Sequence, residues 1–372
     1  MTIDRPGPAA RRSRLRALLA ERDLDALLVT DLLNIRYLTG FTGSNAALLV
    51  AADPGAGGDD EQTLFCTDGR YDLQSAAEVP DLRRLIERPC DLALVARASG
   101  RVGFEAHVVT VAGHRSLAEA AGRDAAARAE LVPVSDLVEQ GRAIKDATEI
   151  EALTAACAIA DRALLEQIEA GGVRPGRTER EVALDLDQRM RRLGATAPAF
   201  DTIVAAGANS AIPHHQPTTA PLRPGDLVKF DFGAEVDGYH SDMTRTVVLG
   251  EPADWQRDLH ALVRTAQEAG RHAAVPGVTG GELDAAARSV IVAAGFGEQF
   301  GHGLGHGVGL QIHEAPAVAA GSAVIIAPDM CVTIEPGVYL PGRGGVRIED
   351  TGVISALGYQ VLTMTSKDLQ VL

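Results

Sequence analysis

Only four of the 372 residues are cysteines, Cys66, Cys90, Cys157 and Cys331, and no two form a CxxC pair. A zinc ribbon or a thioredoxin-type motif therefore has no support. So few thiols in so long a chain read as buried side chains in a reducing compartment. Positive charge is also in deficit. There are 35 Lys and Arg against 50 Asp and Glu, a net charge of −15. A nucleic-acid partner needs clustered cations, and this balance argues against one. Long apolar runs are missing as well. The start of the chain (MTIDRPGPAARRSRLRALLAERD) is broken by charge, unlike a secretory signal. No segment approaches the roughly 18 apolar residues of a membrane span. No membrane association is expected, and the expected location is the cytoplasm.

What is present is an ordinary globular composition, 46 % hydrophobic and 23 % charged, long enough for two domains. The first part alternates helix and strand signals. Leu15, Leu18, Leu19 and Arg22 recur at helical spacing, and residues 26–30, 46–50 and 63–67 read as short strands. An open α/β sheet is predicted over residues 1–137. Residues 54–60 (PGAGGDD) read as an exposed loop. Residues 138–372 open with an amphipathic helix that places Ile150, Leu153, Cys157, Leu164 and Ile168 on one face.

Within the second part the chain repeats itself. Residues 174–195 read RPGRTEREVALDLDQRMRRLGA, and residues 275–296 read VPGVTGGELDAAARSVIVAAGF. At a constant offset of 101 residues, Pro175, Gly176, Thr178, Glu181 and Gly194 match Pro276, Gly277, Thr279, Glu282 and Gly295. Each copy is a Pro-Gly turn, a Thr N-cap with Glu three residues on, a helix and a terminal Gly. Helix capping explains Thr, Glu and Gly one by one, but not the whole spacing twice. Each half then supplies two acids. Asp231 and Glu335 each follow a proline by seven residues, in PGDLVKFD and PDMCVTIE, and Asp242 and Glu349 come after them.

Asp231 lies in LVKFDFGAEV and Asp242 in YHSDMTRTVVL, both strand-like, with the hairpin signal Asp237-Gly238 between them. Val228, Phe230 and Phe232 should share one strand face, and Lys229 and Asp231 the other. A hairpin would set the two acids side by side, which like charges tolerate only when neutralised, for instance by a divalent cation. A single such acid would be an ordinary solvated carboxylate. Four on apolar strands need partners. Residues 300–314 (FGHGLGHGVGLQIHE) add His302, His306 and His313 among five glycines. The glycines disfavour a helical HxxxH and favour a turn leading into a strand. No phosphate loop or dinucleotide fingerprint is present. Four carboxylates and one imidazole form a hard donor set, suited to Mn2+ and, in a paired site, to Co2+ or Zn2+. Two such ions can clamp both sides of a hydrolytic transition state.

Together, DFG at Asp231, SDMTRT at Asp242, GHGLGHGVGLQIHE, TIEPGVY at Glu335 and RIED at Glu349 resemble the pita-bread metallopeptidases. That family includes prolidase, aminopeptidase P and methionine aminopeptidase, with creatinase as a non-metal relative. DLLNIRYLTGFTGSN resembles the creatinase/prolidase-type N-terminal domain, which methionine aminopeptidases usually lack. The resemblance implies an α/β N-terminal domain and an α+β pita-bread catalytic domain with an internal pseudo-two-fold repeat. It implies two divalent metal ions, Mn2+ first, on Asp231, Asp242, His306, Glu335 and Glu349. Asp242 and Glu349 would bridge the ions, and Glu335 would also act as general base. His214 resembles a histidine near the substrate, and His302 and His313 the two beside the scissile bond. Tyr339 and Arg347 resemble residues that orient the ligands. His215 and His240 read as structural or surface residues. The implied reaction is hydrolysis of Xaa-Pro dipeptides or short peptides by a homodimer. An Xaa-Pro dipeptidase is favoured over an aminopeptidase P. Arg36, in a loop of the first domain, is the candidate for the free carboxylate of a dipeptide, against the plainer reading of a surface arginine. A non-catalytic peptide-binding module is the alternative from another class, and it would be expected to have lost ligands.

Overall fold

The computed structural model describes residues 7–55, 60–122 and 129–372, and divides between Arg142 and Ala143 into two compact units. In the first, helix α1 (Pro8–Glu21) leads to β1 (Ala26–Val29), α2 (Leu32–Thr39), β2 (Ala46–Ala51) and β3 (Leu64–Thr67). Then come α3 (Asp72–Glu78), β4 (Arg83–Ile86), α4 (Cys90–Val95), β5 (Gly100–Glu105), α5 (Val111–Ala121), β6 (Ala129–Val134) and α6 (Leu137–Ala143). The strands form one mixed sheet in the order β4-β3-β2-β1-β5-β6. Its parallel neighbours β3/β4 and β5/β6 are joined through α3 and α5, because a parallel pair needs a crossover rather than a hairpin. Alternate strand residues Leu28, Leu49, Cys66 and Val102 pack with Leu94, Val95, Leu117 and Ala121 of α4 and α5.

Two local readings change. Arg36 sits half-buried on α2, not in a loop, because Asp31 caps that helix by accepting from Leu33 N at 2.7 Å. Of the loop at 54–60, residues 56–59 lie outside the described residues. Its last member, Asp60, is buried instead of exposed, because Arg12, itself fully buried, donates to it at 2.7 and 2.9 Å. No helix among the described residues is long and apolar enough to cross a membrane.

The second unit runs through two similar halves. The first is α7 (Ala147–Glu169), α8 (Glu179–Arg192), β7 (Ala197–Pro198), β8 (Ile203–Ala206), β9 (Leu227–Phe232), β10 (Ala234–Val236), β11 (Tyr239–His240) and β12 (Met243–Val248). The second is α9 (Asp254–Ala273), α10 (Gly280–Ala293), β13 (Gly305–Gly307), β14 (Glu314–Val318), β15 (Cys331–Ile334), β16 (Gly337–Leu340), β17 (Gly344–Arg347), β18 (Asp350–Ser355) and β19 (Gly358–Val361). Helices α7 and α8 bury Leu164, Val182 and Leu186 against Val204, Phe230 and Val247 of the sheet β12-β9-β8. Helices α9 and α10 bury Val263, Leu283 and Ile291 with Val332, Ile334 and Ile354 of the sheet β14-β13-β15-β18-β19.

The repeat is structural as well as sequential. Thr178 N donates to Glu181 Oε2, and Thr279 N to Glu282 Oε2, each at 2.8 Å within a complete capping box. The turns before the caps match too. Gly176 (φ 90°) and Gly277 (φ 97°) each donate at 2.9 Å to a carbonyl of the following loop, Leu222 and Ile326. A left-handed backbone at both positions suits glycine.

Candidate metal centre

Strand alternation on β9 sends Val228, Phe230 and Phe232 into the core against α7 and α8 and leaves Lys229 and Asp231 on the opposite face. The Asp237-Gly238 turn forms, with φ 50° and 78°, but it closes the short β10/β11 hairpin. Between that hairpin and the β9/β12 pair the chain pinches. A Cβ at Gly233 would lie 1.7 Å from Ser241 O, so only glycine fits there. In the register beyond the pinch, Asp231 lies opposite Thr244. Asp242 is therefore not in a strand, as the sequence suggested, but in the break just before β12. Glu335 and Glu349 likewise occupy breaks, after β15 and before β18. Where strand pairing lapses, the backbone can turn a carboxylate sideways instead of leaving it perpendicular to a sheet.

His306 lies on β13, which the glycines allow to run close to its neighbours. A Cβ at Gly305 would meet Thr333 O at 2.0 Å. His306 Nδ1 donates to Gly307 O at 3.0 Å, so the ring turns its Nε2 lone pair toward Asp242 Oδ2 at 3.6 Å and Glu335 Oε1 at 3.4 Å. A fixed tautomer with the other nitrogen free is what a metal-ligating imidazole needs. Donor atoms of Asp242, His306 and Glu349 all lie within 4.8 Å of one another. Asp231 and Glu335 share Arg347, which bonds Asp231 and stands 4.0 Å from Glu335 Oε2.

The electrostatics of this cluster call for a cation. Asp242 Oδ1 and Glu349 Oε1 are buried and have no hydrogen-bond partner among the described residues. Burial first, and the neighbouring carboxylates second, push Asp242 and Glu349 well above the usual carboxylate range. Burial pushes Glu335 up to about 8. Buried acids with orphaned oxygens and only Arg347 to offset their charge are costly, and divalent ions bound among them would supply both the partner and the missing charge. The five residues therefore fit a metal site.

Residues behind the ligands hold them in place. Thr244 Oγ1 donates to Glu349 Oε2 at 2.7 Å and accepts from Arg347 Nε at 3.0 Å. Thr333 Oγ1 reaches Glu335 Oε1 at 3.4 Å and accepts from His306 N at 3.1 Å. Arg245 bonds the Glu349 carbonyl and, at 2.8 Å, Asp350. Thr244, Thr333 and Arg245 were not singled out from the sequence, although for the two threonines a signal was there. Thr244 lies two residues after Asp242 and Thr333 two before Glu335, the spacing that Arg347 has to Glu349, whereas Arg245 carries no such signal. Side chains two apart on extended chain face the same way.

Arg347 Nη1 donates to Tyr339 Oη at 2.7 Å, and Tyr339 Oη lies 2.9 Å from His302 Nε2. His302 Nδ1 donates to Gly303 O at 2.8 Å. Both ring nitrogens of His302 are thus engaged, and burial holds it neutral by pushing its pKa down to about 4. His313 packs edge-on to His306 at 4.4 Å between ring centroids. Burial, with Arg347 beside it, lowers the pKa of His214. His215 turns instead to the buried Glu179 at 2.8 Å, and His240 Nδ1 donates to Gly309 O at 3.1 Å. All five candidate ligands line a cleft of about 480 Å3 together with His214, His302, His313 and Arg347. Tyr339 stands behind it, and Arg36 belongs to the first unit.

Residues 151–356 match Metallopeptidase family M24, and residues 11–144 match the Creatinase/Prolidase N-terminal domain. An uncharacterized peptidase of Bacillus subtilis is 39 % identical over 96 % of this chain and 99 % of its own. The structure of an Xaa-Pro dipeptidase from Bacillus anthracis is similar with a TM-score of 0.90 and 37 % identity, covering 98 % of this chain and all of that one (100 %). That of an X-Pro aminopeptidase from Thermotoga maritima follows at 0.85 and 34 %, covering 97 % and 99 %. Two domain matches, near-complete coverage and a cleft floored by carboxylates agree: the chain is a metallopeptidase and belongs to family M24, with a creatinase/prolidase-type N-terminal domain.

Proposed function

We propose that this protein is a dinuclear metal-dependent exopeptidase that cleaves the Xaa-Pro bond at the N-terminus of dipeptides and short peptides. The observation that carries the reading is the convergence of two orphaned carboxylate oxygens and one free imidazole lone pair on the floor of a cleft. Asp231, Asp242, His306, Glu335 and Glu349 would hold the two ions, manganese first given the oxygen-rich donors. Bound there, the ions supply Lewis acidity toward the scissile carbonyl and a water acidic enough to attack near neutral pH.

The chain's own residues do the rest. Glu335 accepts the proton of the attacking water and delivers it to the proline nitrogen, which cannot leave as an anion. His313 donates to the carbonyl oxygen as negative charge develops on it. His214 and His302 border the bound peptide, with His302 set by Tyr339, while Asp231 receives the free amine. The intact ligand set disfavours a non-catalytic peptide-binding module.

The similar structures carry both names, dipeptidase and aminopeptidase. We favour the dipeptidase, with Arg36 of a second protomer as the candidate group for the free carboxylate of proline. The reading also carries a homodimer and a cytoplasmic location, the latter in keeping with four free, buried cysteines. Rates on Ala-Pro, Ala-Pro-Ala and longer Xaa-Pro peptides test it. Preference for Ala-Pro, with a KM raised for Ala-Pro alone in Arg36→Ala, is the expected result. Faster cleavage of the longer peptides would make the enzyme an aminopeptidase P instead.

A further inference from the structure

Two of the cysteines are not isolated. Cys66 lies fully buried on β3, and Cys90 opens α4. Both sulfurs approach one carbonyl oxygen, that of Glu87, at 3.8 Å from Cys66 Sγ and 3.5 Å from Cys90 Sγ. The two thiols are close enough to shift each other's pKa.

Their surroundings differ. Cys90 lines a cleft of about 400 Å3 together with Thr30, Asn45 and Arg88. Asn45 Nδ2 donates to Cys90 Sγ at 3.4 Å. An N–H aimed at sulfur favours the thiolate, the form that reacts. Among the described residues Cys66 has no such donor, and it is not one of the residues lining that cleft. The Cys66 thiol, with Asn45 beside it, lowers the pKa of Cys90, although burial, Asp68 and Asp91 oppose it. The same pairing raises that of Cys66. Burial first, with nearby acids adding to it, pushes Cys331 up to about 12 and Cys157 well above its usual value.

We propose that Cys90 is a peroxide-oxidisable thiol and Cys66 its resolving partner, so that the first unit carries a reversible dithiol–disulfide site unrelated to peptide hydrolysis. In the first step the Cys90 thiolate attacks one peroxide oxygen, the O–O bond breaks, and a sulfenic acid forms while the departing hydroxide takes up the proton that the thiol had released, giving one water. In the second, Cys66 sulfur attacks Cys90 sulfur, the S–O bond breaks, and a second water leaves. Two thiols are oxidised to one disulfide, and hydrogen peroxide is reduced to two waters. Because both sulfurs already face the Glu87 carbonyl oxygen, the step asks only that β3 and α4 let them close on each other.

Treatment of the full-length protein with hydrogen peroxide, followed by intact-mass and non-reducing peptide mass spectrometry, tests this. The expected result is the loss of two hydrogens, a Cys66–Cys90 linked peptide, reversal by dithiothreitol, and Cys157 and Cys331 left as thiols. In Cys66→Ser, Cys90 should accumulate as a sulfenic acid trapped by dimedone, and in Cys90→Ser, Cys66 should stay reduced under the same exposure. A variant that fails to fold leaves a second measurement on the unmodified chain, in which iodoacetamide should label Cys90 before the other three. Oxidation of Cys157 or Cys331 ahead of this pair, Cys66 oxidised equally without Cys90, or no linked peptide at all would each overturn the assignment.

Discussion

Of the two carboxylate oxygens of Glu349, one accepts from Thr244 and the other has no protein partner among the described residues. This asymmetry defines what each nearby residue does. Thr244 fixes the carboxylate plane so that the free oxygen faces the site. Removing its hydroxyl in Thr244→Val should lower metal affinity about 10–100-fold, the usual effect of losing a group that orients a ligand. Titration of the metal-free protein with Mn2+ reads this directly, and unchanged affinity would remove Thr244 from the account. His313, against the His306 ring, is expected to act on the substrate instead. His313→Ala should lower kcat while the Mn2+ stoichiometry holds, and lost metal with unchanged kcat would refute that role. The candidate ligands stood out in the sequence because acids in apolar stretches have to find partners. The buried Lys229 was assigned to a strand face and nothing more. Its Nζ donates to the carbonyls of Ile212 and Pro213, at 2.7 and 3.1 Å, contacts from a loop that no periodicity announces. Burial pushes its pKa down to about 6, and these carbonyl contacts satisfy the donors that remain.

At the scale of elements, local chemistry and long-range pairing separate cleanly. The capping boxes at Thr178 and Thr279 were readable because every atom involved lies within four residues. Their geometry is the same in both halves, so Thr178→Ala and Thr279→Ala should cost alike, about 1 kcal/mol each in urea unfolding. A large inequality would mean that the two helices do not play equivalent parts. The strand breaks that carry Asp242, Glu335 and Glu349 were not readable. A break forms where a strand stops pairing with its neighbour, and the sequence displays only that the stretch is apolar and extended. The pinch at Gly233 and the close run at Gly305 have the same origin, since both glycines are dictated by a carbonyl from another segment.

At the scale of the whole molecule, the chain divides at residue 142, against the boundary at 137 read from the sequence, and the second unit pairs two similar halves. The way four acids and one imidazole from both halves reach one cleft is a product of tertiary folding. One buried group outside the site sets a pH dependence. His260 on α9 is 4 % exposed, and burial, with Arg264 beside it, pushes its pKa down to about 4, against a partial opposing effect of Asp368. The unfolded chain therefore binds a proton that the folded chain refuses between about pH 6.5 and 4. Stability from this group is complete above about pH 6.5 and falls as pH drops through that window, by about 3 kcal/mol in all. Urea unfolding of His260→Gln should lose that part of the slope relative to the unmodified protein, and superimposable pH profiles would contradict the assignment.

The central claim is that buried carboxylates on the two halves hold metal ions for hydrolysis before proline. Metal content and proline release, measured on the same preparation, test it most directly. The account predicts two divalent ions per chain, release of proline from Ala-Pro that stops when they are stripped and returns with Mn2+, and loss of both in Glu349→Ala. Full turnover in the stripped protein, or in Glu349→Ala, would contradict it.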